Sequence, residues 1–193
     1  MATKTPAPDR RPARERLLAA AAELFYEEGV NTVGIDRVIE RAGVAKASLY
    51  DCFGSKDELV RAYLTQRQEA RDARITEVLK KYATPRERLL GVFDAMGEIL
   101  KDNKFRGSAF IRASAEVRPG SSVKQVCDDS RAWLRGLFVK LAGEAGVRNA
   151  EHLAEQLLLL YDGATVAAQM DRSTRSASHA RAMATILLDA ATG

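Results

Sequence analysis

IDRVIERAGVAKASLYDCFGSK, residues 35–56, reads as two short helices meeting at a sharp corner. Ile35, Val38 and Ile39 recur at i, i+3 and i+4, the spacing of a helix with one buried face. Ala42 and Gly43 end that helix, because glycine takes the positive φ of a helix C-terminus at no steric cost. A second apolar face follows in Val44, Leu49 and Phe53. Two helices joined by a short glycine-containing turn make a helix-turn-helix. The second opens on Lys46, Ala47 and Ser48, small or cationic residues suited to base edges in a DNA major groove.

A longer register surrounds this corner: Arg16-Leu17-Leu18-Ala19-Ala20, Leu24-Phe25, Gly29, Thr32, Ile35, Ala42-Gly43-Val44, Leu49-Tyr50, Phe53, Ser55-Lys56 and Leu59. Together these residues resemble the amino-terminal domain of the tetracycline-repressor (TetR) family over roughly the first third of the chain. Three positions depart from the family's pattern. Ala45 stands where Ser or Thr usually caps the recognition helix, Ile39 where a small Ala is usual, and Cys52 where His or Tyr is common. The first loses a cap worth ~1 kcal/mol.

Composition sets the class as all-α, since Leu, Ala, Glu and Arg dominate and β-branched runs are scarce. No apolar stretch reaches the length of a membrane span, and the opening MATKTPAPDRRPARER has no apolar core for export. Cys52 and Cys127 lie far apart without motif spacing, so a reduced cytoplasmic protein is expected. Net charge is +4, yet the first 60 residues hold nine Lys/Arg against ten Asp/Glu. DNA binding therefore has to rest on where the cations sit: Arg10, Arg11, Arg14 and Arg16 in an arm, then Arg37, Lys46 and Lys56 around the groove face.

Residues 1–12 read as a flexible basic arm, either reaching a neighbouring groove or simply solvated. Residues 13–60 form the DNA-binding head, with a first helix over about 12–28 whose stripe is Leu17, Leu18, Ala21, Leu24 and Phe25. Thr32 precedes the next helix, where its hydroxyl caps the helix or meets a phosphate; the resemblance implies both. Ser55 with Glu58 starts a long helix running to about residue 81, which joins the head to residues 61–193. Its Arg67, Arg71 and Arg74 share one face, read as solvated.

Thr84-Pro85-Arg86-Glu87 starts a fifth helix. A short sixth covers about 107–117, within a segment (Phe105 to Glu116) that resembles one in a subset of TetR-type regulators, often with Cys where Ser108 stands. A seventh spans about 122–144 with a stripe of Val123, Val126, Ser130, Trp133, Leu137 and Leu141. Asn149 caps an eighth over 150–171, and Thr174 or Ser176 precedes a ninth, making about nine helices. Leu157, Leu158, Leu159 and Leu160 cover a whole helical circumference, so that turn needs cover on every side. A second copy, joined through the last two helices as a two-fold four-helix interface, is the economical cover; a tightly packed single-chain core is the alternative.

Catalysis fails on inventory. His152 and His179 lack metal-ligand spacing, no nucleophile elbow or phosphate-cradling loop is present, and Arg112 with Glu116 makes a helix ion pair. No cofactor or metal is implied. For DNA, Lys46 and Ser48 are candidates for base edges and Ala47 for a thymine methyl. The resemblance implies phosphate contacts at Tyr50 and Lys56, with Thr32 and Arg37 as further clamps; Tyr50 has a scaffold ring as its alternative. A recognition helix of about seven residues spans only ~10 Å, so a dimer on a palindromic operator is required.

The resemblance also implies an effector pocket in the carboxy-terminal domain. Phe93, Met96, Phe110, Trp133 and Tyr161 are its apolar candidates, though core packing explains any one of them, and Arg112, Asp162 and Gln169 its polar ones. Two functions follow: a ligand-responsive repressor released by a small hydrophobic or amphipathic effector, or an architectural DNA-binding protein without an inducer.

Overall fold

The computed structural model describes residues 11–192, and among these nine α-helices and no strands occur. Residues 1–10 of the expected arm lie outside the described residues. Helix α1 (Ala13–Glu28) buries Leu17, Ala20, Ala21, Leu24 and Phe25 against α2 (Ile35–Ala42) and α3 (Lys46–Phe53). The corner between α2 and α3 is the tight element. Gly43 sits at φ 62°, and Val44 N–H donates to the carbonyl of Ile39 at 3.3 Å, closing α2 in the left-handed turn that glycine adopts without strain.

Arg16 belongs to α1 and not to a solvated arm. Its Nη1 donates to the carbonyls of Ala42 (3.3 Å) and Gly43 (3.0 Å), a cation on the exposed C-terminal carbonyls of α2. Arg14 likewise lies over the Phe53 ring at 5.0 Å. Thr32 does not cap α2: the N-cap is Gly34, two residues on, and it offers no side-chain bond. Neither does Ala45 at the start of α3, whose first-turn amides get no side-chain acceptor from it. Ala45→Ser is therefore expected to stabilise the chain by about 0.5–1 kcal/mol, read as a higher urea midpoint at unchanged slope.

Helix α4 (Lys56–Leu79) is capped by Ser55, which accepts from Glu58 N–H at 3.2 Å. Its 24 residues span ~36 Å and carry the chain without a break from the head to the remaining helices. Those are α5 (Pro85–Leu100), α6 (Ala109–Glu116), α7 (Ser122–Glu144), α8 (Ala150–Asp171) and α9 (Arg175–Thr192). A full capping box between Thr84 and Glu87 opens α5, and Asn149 accepts from His152 N–H to open α8.

Two apolar clusters result. One joins α1 to α3 with the start of α4, α6 and the start of α7; the other unites α5, α7, α8 and α9 with the end of α4 around the rings of Phe93, Phe138 and Tyr161. On α7 the buried stripe is rotated from the expected one: Leu134 and Phe138 enter the core, while Trp133 and Leu137 are half-buried. Leu157 and Leu158 are buried, but Leu159 is 72% exposed, so a single-chain core does not cover that turn.

Candidate nucleic-acid interface and effector cavity

The head is anchored from beneath and open above. Leu49 is fully buried and Phe53 nearly so, while Lys46 and Ala47 face solvent and Ser48 is half-buried. Tyr50 is 46% exposed, so about half of its ring surface is open to a phosphate while the rest packs on the head. Lys56 is half-buried at the first position of α4. Thr32 is exposed on the turn before α2.

Sequence reading missed what the cations of the head do with one another's helices. Lys46 Nζ lies 2.9 Å from Asp36 Oδ1, Arg37 pairs with Glu28, and Arg41 grips Glu23 through Nη2 at 2.6 and 2.8 Å. The hydrogen bond that Lys46 donates to Asp36, then that carboxylate's charge, raises the Lys46 pKa above its ordinary value. Each pair is solvent-exposed and screened by salt, so phosphate oxygens can displace the carboxylates. Asp36→Asn is expected to tighten DNA binding several-fold at low salt, with the gain shrinking as salt rises, in a fluorescence-anisotropy titration.

Below the head, α4, α5, α6, α7 and α8, with Ala22 and Tyr26 of α1, line a half-open cavity of about 1220 Å³. That exceeds the ~300–1,000 Å³ usual for small-molecule sites. Met96, Ile99, Leu100, Phe105, Phe110 and Leu134 form its apolar wall. Of the eight residues expected to line a pocket, Met96, Phe110, Tyr161 and Asp162 do so. Phe93, Arg112, Trp133 and Gln169 do not. Phe93 stacks behind on Phe138 at 5.8 Å, and Trp133 is held against the Arg71 guanidinium at 5.3 Å. Gln169 lies over Gly107, so closely that a Cβ there would overlap its side-chain amide. Arg112 turns toward α1 and donates to the carbonyl of Tyr26 at 2.8 Å, rather than pairing with Glu116 along the helix.

The arginine face of α4 is the larger correction. All three line the cavity, but only Arg67 and Arg71 are drawn out of open solvent, because α1 packs on one side of α4 and α7 on another; Arg74 stays half-exposed at its edge beside Glu98. Arg71 is only 16% exposed; it donates to Ser130 Oγ (2.9 Å), to the Ser130 carbonyl and to Asp72, between the rings of Phe110 and Trp133. Their i, i+4, i+7 spacing was visible, but nothing in it distinguishes a solvated face from a cavity wall. Burial pushes the Tyr161 phenol up to about 12, so it stays neutral as a donor. Burial and the nearby Asp128 push the Cys127 thiol up to about 11, which makes it a poor nucleophile.

Tyr26 connects cavity and head. It lines the cavity, its hydroxyl donates to the Gly107 carbonyl (3.2 Å) and accepts from Arg106 N–H (2.8 Å), and Arg67 lies 3.8 Å over its ring. One turn further, Asn31 N–H donates to Glu116 Oε2 and its side chain to the Glu116 carbonyl. Both ends of α6 are thus tied to α1 and its following turn.

Comparison with known proteins meets this geometry. Residues 17–63 match the family model for bacterial regulatory proteins of the tetR family. The transcriptional repressor NemR of Escherichia coli is 30% identical over 172 residues, covering 83% of this chain and 85% of that protein. The chain belongs to the TetR family. Within it, the transcriptional activator FasR of Mycolicibacterium smegmatis is 33% identical over 134 residues, 69% of this chain. That match spans 61% of FasR, so the chain accounts for less than two thirds of its length. A TetR-family regulator from Streptomyces coelicolor superposes with a TM-score of 0.88 at 28% identity, covering 94% of this chain and 96% of that one. The TetR fold therefore extends well beyond the matched head, through the helices that line the cavity.

At the open side of that cavity α8 leaves Leu159, Val166 and Met170 in solvent at i, i+7 and i+11, and α9 leaves Met183 and Ile186 exposed outside the lining. Among the described residues no helix is long and apolar enough to cross a membrane.

Proposed function

We propose that this TetR-family chain is a cytoplasmic, ligand-responsive transcriptional regulator that represses by binding a palindromic operator as a dimer. The observation that carries the reading is the corner at Gly43, which buries Leu49 and Phe53 and leaves Lys46, Ala47 and Tyr50 outward along one short helix. Base edges go to Lys46, Ala47 and Ser48, and phosphates to Tyr50, Lys56, Thr32 and Arg37. Residues 13–60 carry this contact, and residues 61–193 carry dimerisation and effector binding. The exposed apolar stripes of α8 and α9 meet their two-fold copies and set two heads ~34–36 Å apart, one turn of DNA. The reading includes no catalytic step.

An effector in the cavity presses on Tyr26 and α6, and through them on α1. A ligand preferring the spread-head arrangement then weakens operator binding by its differential affinity for the two states. The test is a footprint on DNA upstream of the protein's own gene, repeated with Lys46→Ala and Tyr50→Ala. A palindromic footprint lost in both variants supports the proposal; one unchanged in both sinks it. An operator held equally tightly across a panel of amphipathic ligands favours the architectural alternative.

A further inference from the structure

Five cations (Arg67, Arg71, Arg74, Lys124 and Arg131) and three carboxylates (Asp102, Asp128 and Asp162) line the cavity. Most of these charges are answered within the protein. Lys124 pairs with Asp128 and Arg131 with Asp162, and Arg71 is held by Asp72 and Ser130. Arg74 has Glu98 at 3.8 Å. Arg67 is different: among the described residues no carboxylate pairs with it and no oxygen accepts from it, and its only partners are the rings of Tyr26 (3.8 Å) and Tyr63 (6.0 Å).

That arrangement is informative about a ligand. A ring at 3.8 Å occupies the face of the guanidinium, whereas its N–H donors all lie in the plane, directed outward from the edge. A stacked arginine keeps its fork pre-organised and loses little freedom on forming paired bonds to a planar oxyanion. The same cavity lining carries the apolar Ile99, Leu100 and Phe105. A cation without an oxygen partner, set in a largely apolar lining, suits a molecule that joins an anionic head to hydrocarbon.

We infer that the cavity takes an amphiphile bearing a carboxylate, with Arg67 binding the carboxylate edge-on and the apolar portion lying against α5 and the α5–α6 loop. This rests on the effector-cavity reading above and specifies its ligand class. A cationic amphiphile is repelled, and a neutral one of equal length gains only the apolar wall.

The test titrates the full chain by calorimetry with decanoate, decanol and decylamine, each below its aggregation limit, and measures operator binding on the same samples. Decanoate is expected to bind at least ~10-fold tighter than decanol, a difference near the lower end of what one charge-assisted hydrogen bond contributes, and decylamine more weakly than either. Arg67→Met removes the preference for decanoate while decanol affinity stays as it was. Arg67→Lys, which keeps the charge and loses the fork, retains part of the preference, and circular dichroism checks that both variants keep their helical content. Equal binding of decanoate and decanol, or a preference undiminished in Arg67→Met, overturns the inference and leaves the effector cavity standing. If none of the three probes binds, cavity and ligand class fall together, and the operator measurement alone decides the DNA-binding proposal.

Discussion

Leu159→Glu combined with Ile186→Glu is expected to split the proposed dimer into single chains and to lower operator affinity by at least ~100-fold. In the isolated chain both sites are open, Leu159 at 72% and Ile186 at 68% exposure, so the glutamates cost little there. Across a two-fold interface each substitution occurs twice, and four carboxylates would be buried without partners at several kcal/mol apiece. The loss then passes to DNA, because one eight-residue recognition helix reaches only a few base pairs. Sedimentation equilibrium and anisotropy on a palindromic duplex give both numbers. A variant that remains dimeric removes α8 and α9 as the interface. A monomeric variant with unaltered affinity removes the need for two heads.

Leu49→Ala is expected to cost about 2–5 kcal/mol and to abolish operator binding without touching any group placed on DNA. Leu49 is completely buried, on a helix that packs against α1, in the same apolar cluster as Val38 and Phe53. Truncation leaves a void that the short helices around it cannot close without moving α3. Urea unfolding followed by circular dichroism reads the stability, and footprinting reads the binding. Retention of both would mean that the recognition helix is held by its flanking turns and not from beneath. Ala45→Ser acts on the same helix in the opposite direction, so the two substitutions bracket how far its stability governs its function.

Legibility differed sharply between local and convergent features. The corner at Gly43, the Ser55 and Thr84 caps and the positions of α4, α5 and α8 follow from residues within one or two turns of each other. Capping was misread at Thr32, because the residue that starts α2 is Gly34 and a helix can begin without a side-chain acceptor, and Ser176 falls inside α9 rather than before it. The rotated stripe on α7 has a comparable origin. Trp133 and Leu134 are adjacent apolar residues, and only the angle at which α7 meets its neighbours chooses which of them enters the core.

By itself the sequence determined the all-α class, the helix-turn-helix, the membership that its register resembles and the surplus of apolar surface on the last two helices. All of these depend on periodicities and turn chemistry that a few consecutive residues carry. Tertiary structure alone decided that Arg67, Arg71 and Arg74 face a cavity, that Arg112 serves a seam with α1, and that Lys46 and Arg37 stand beside carboxylates from other helices. A charged side chain's partner is set by where separate helices cross, and no spacing along one helix contains that information.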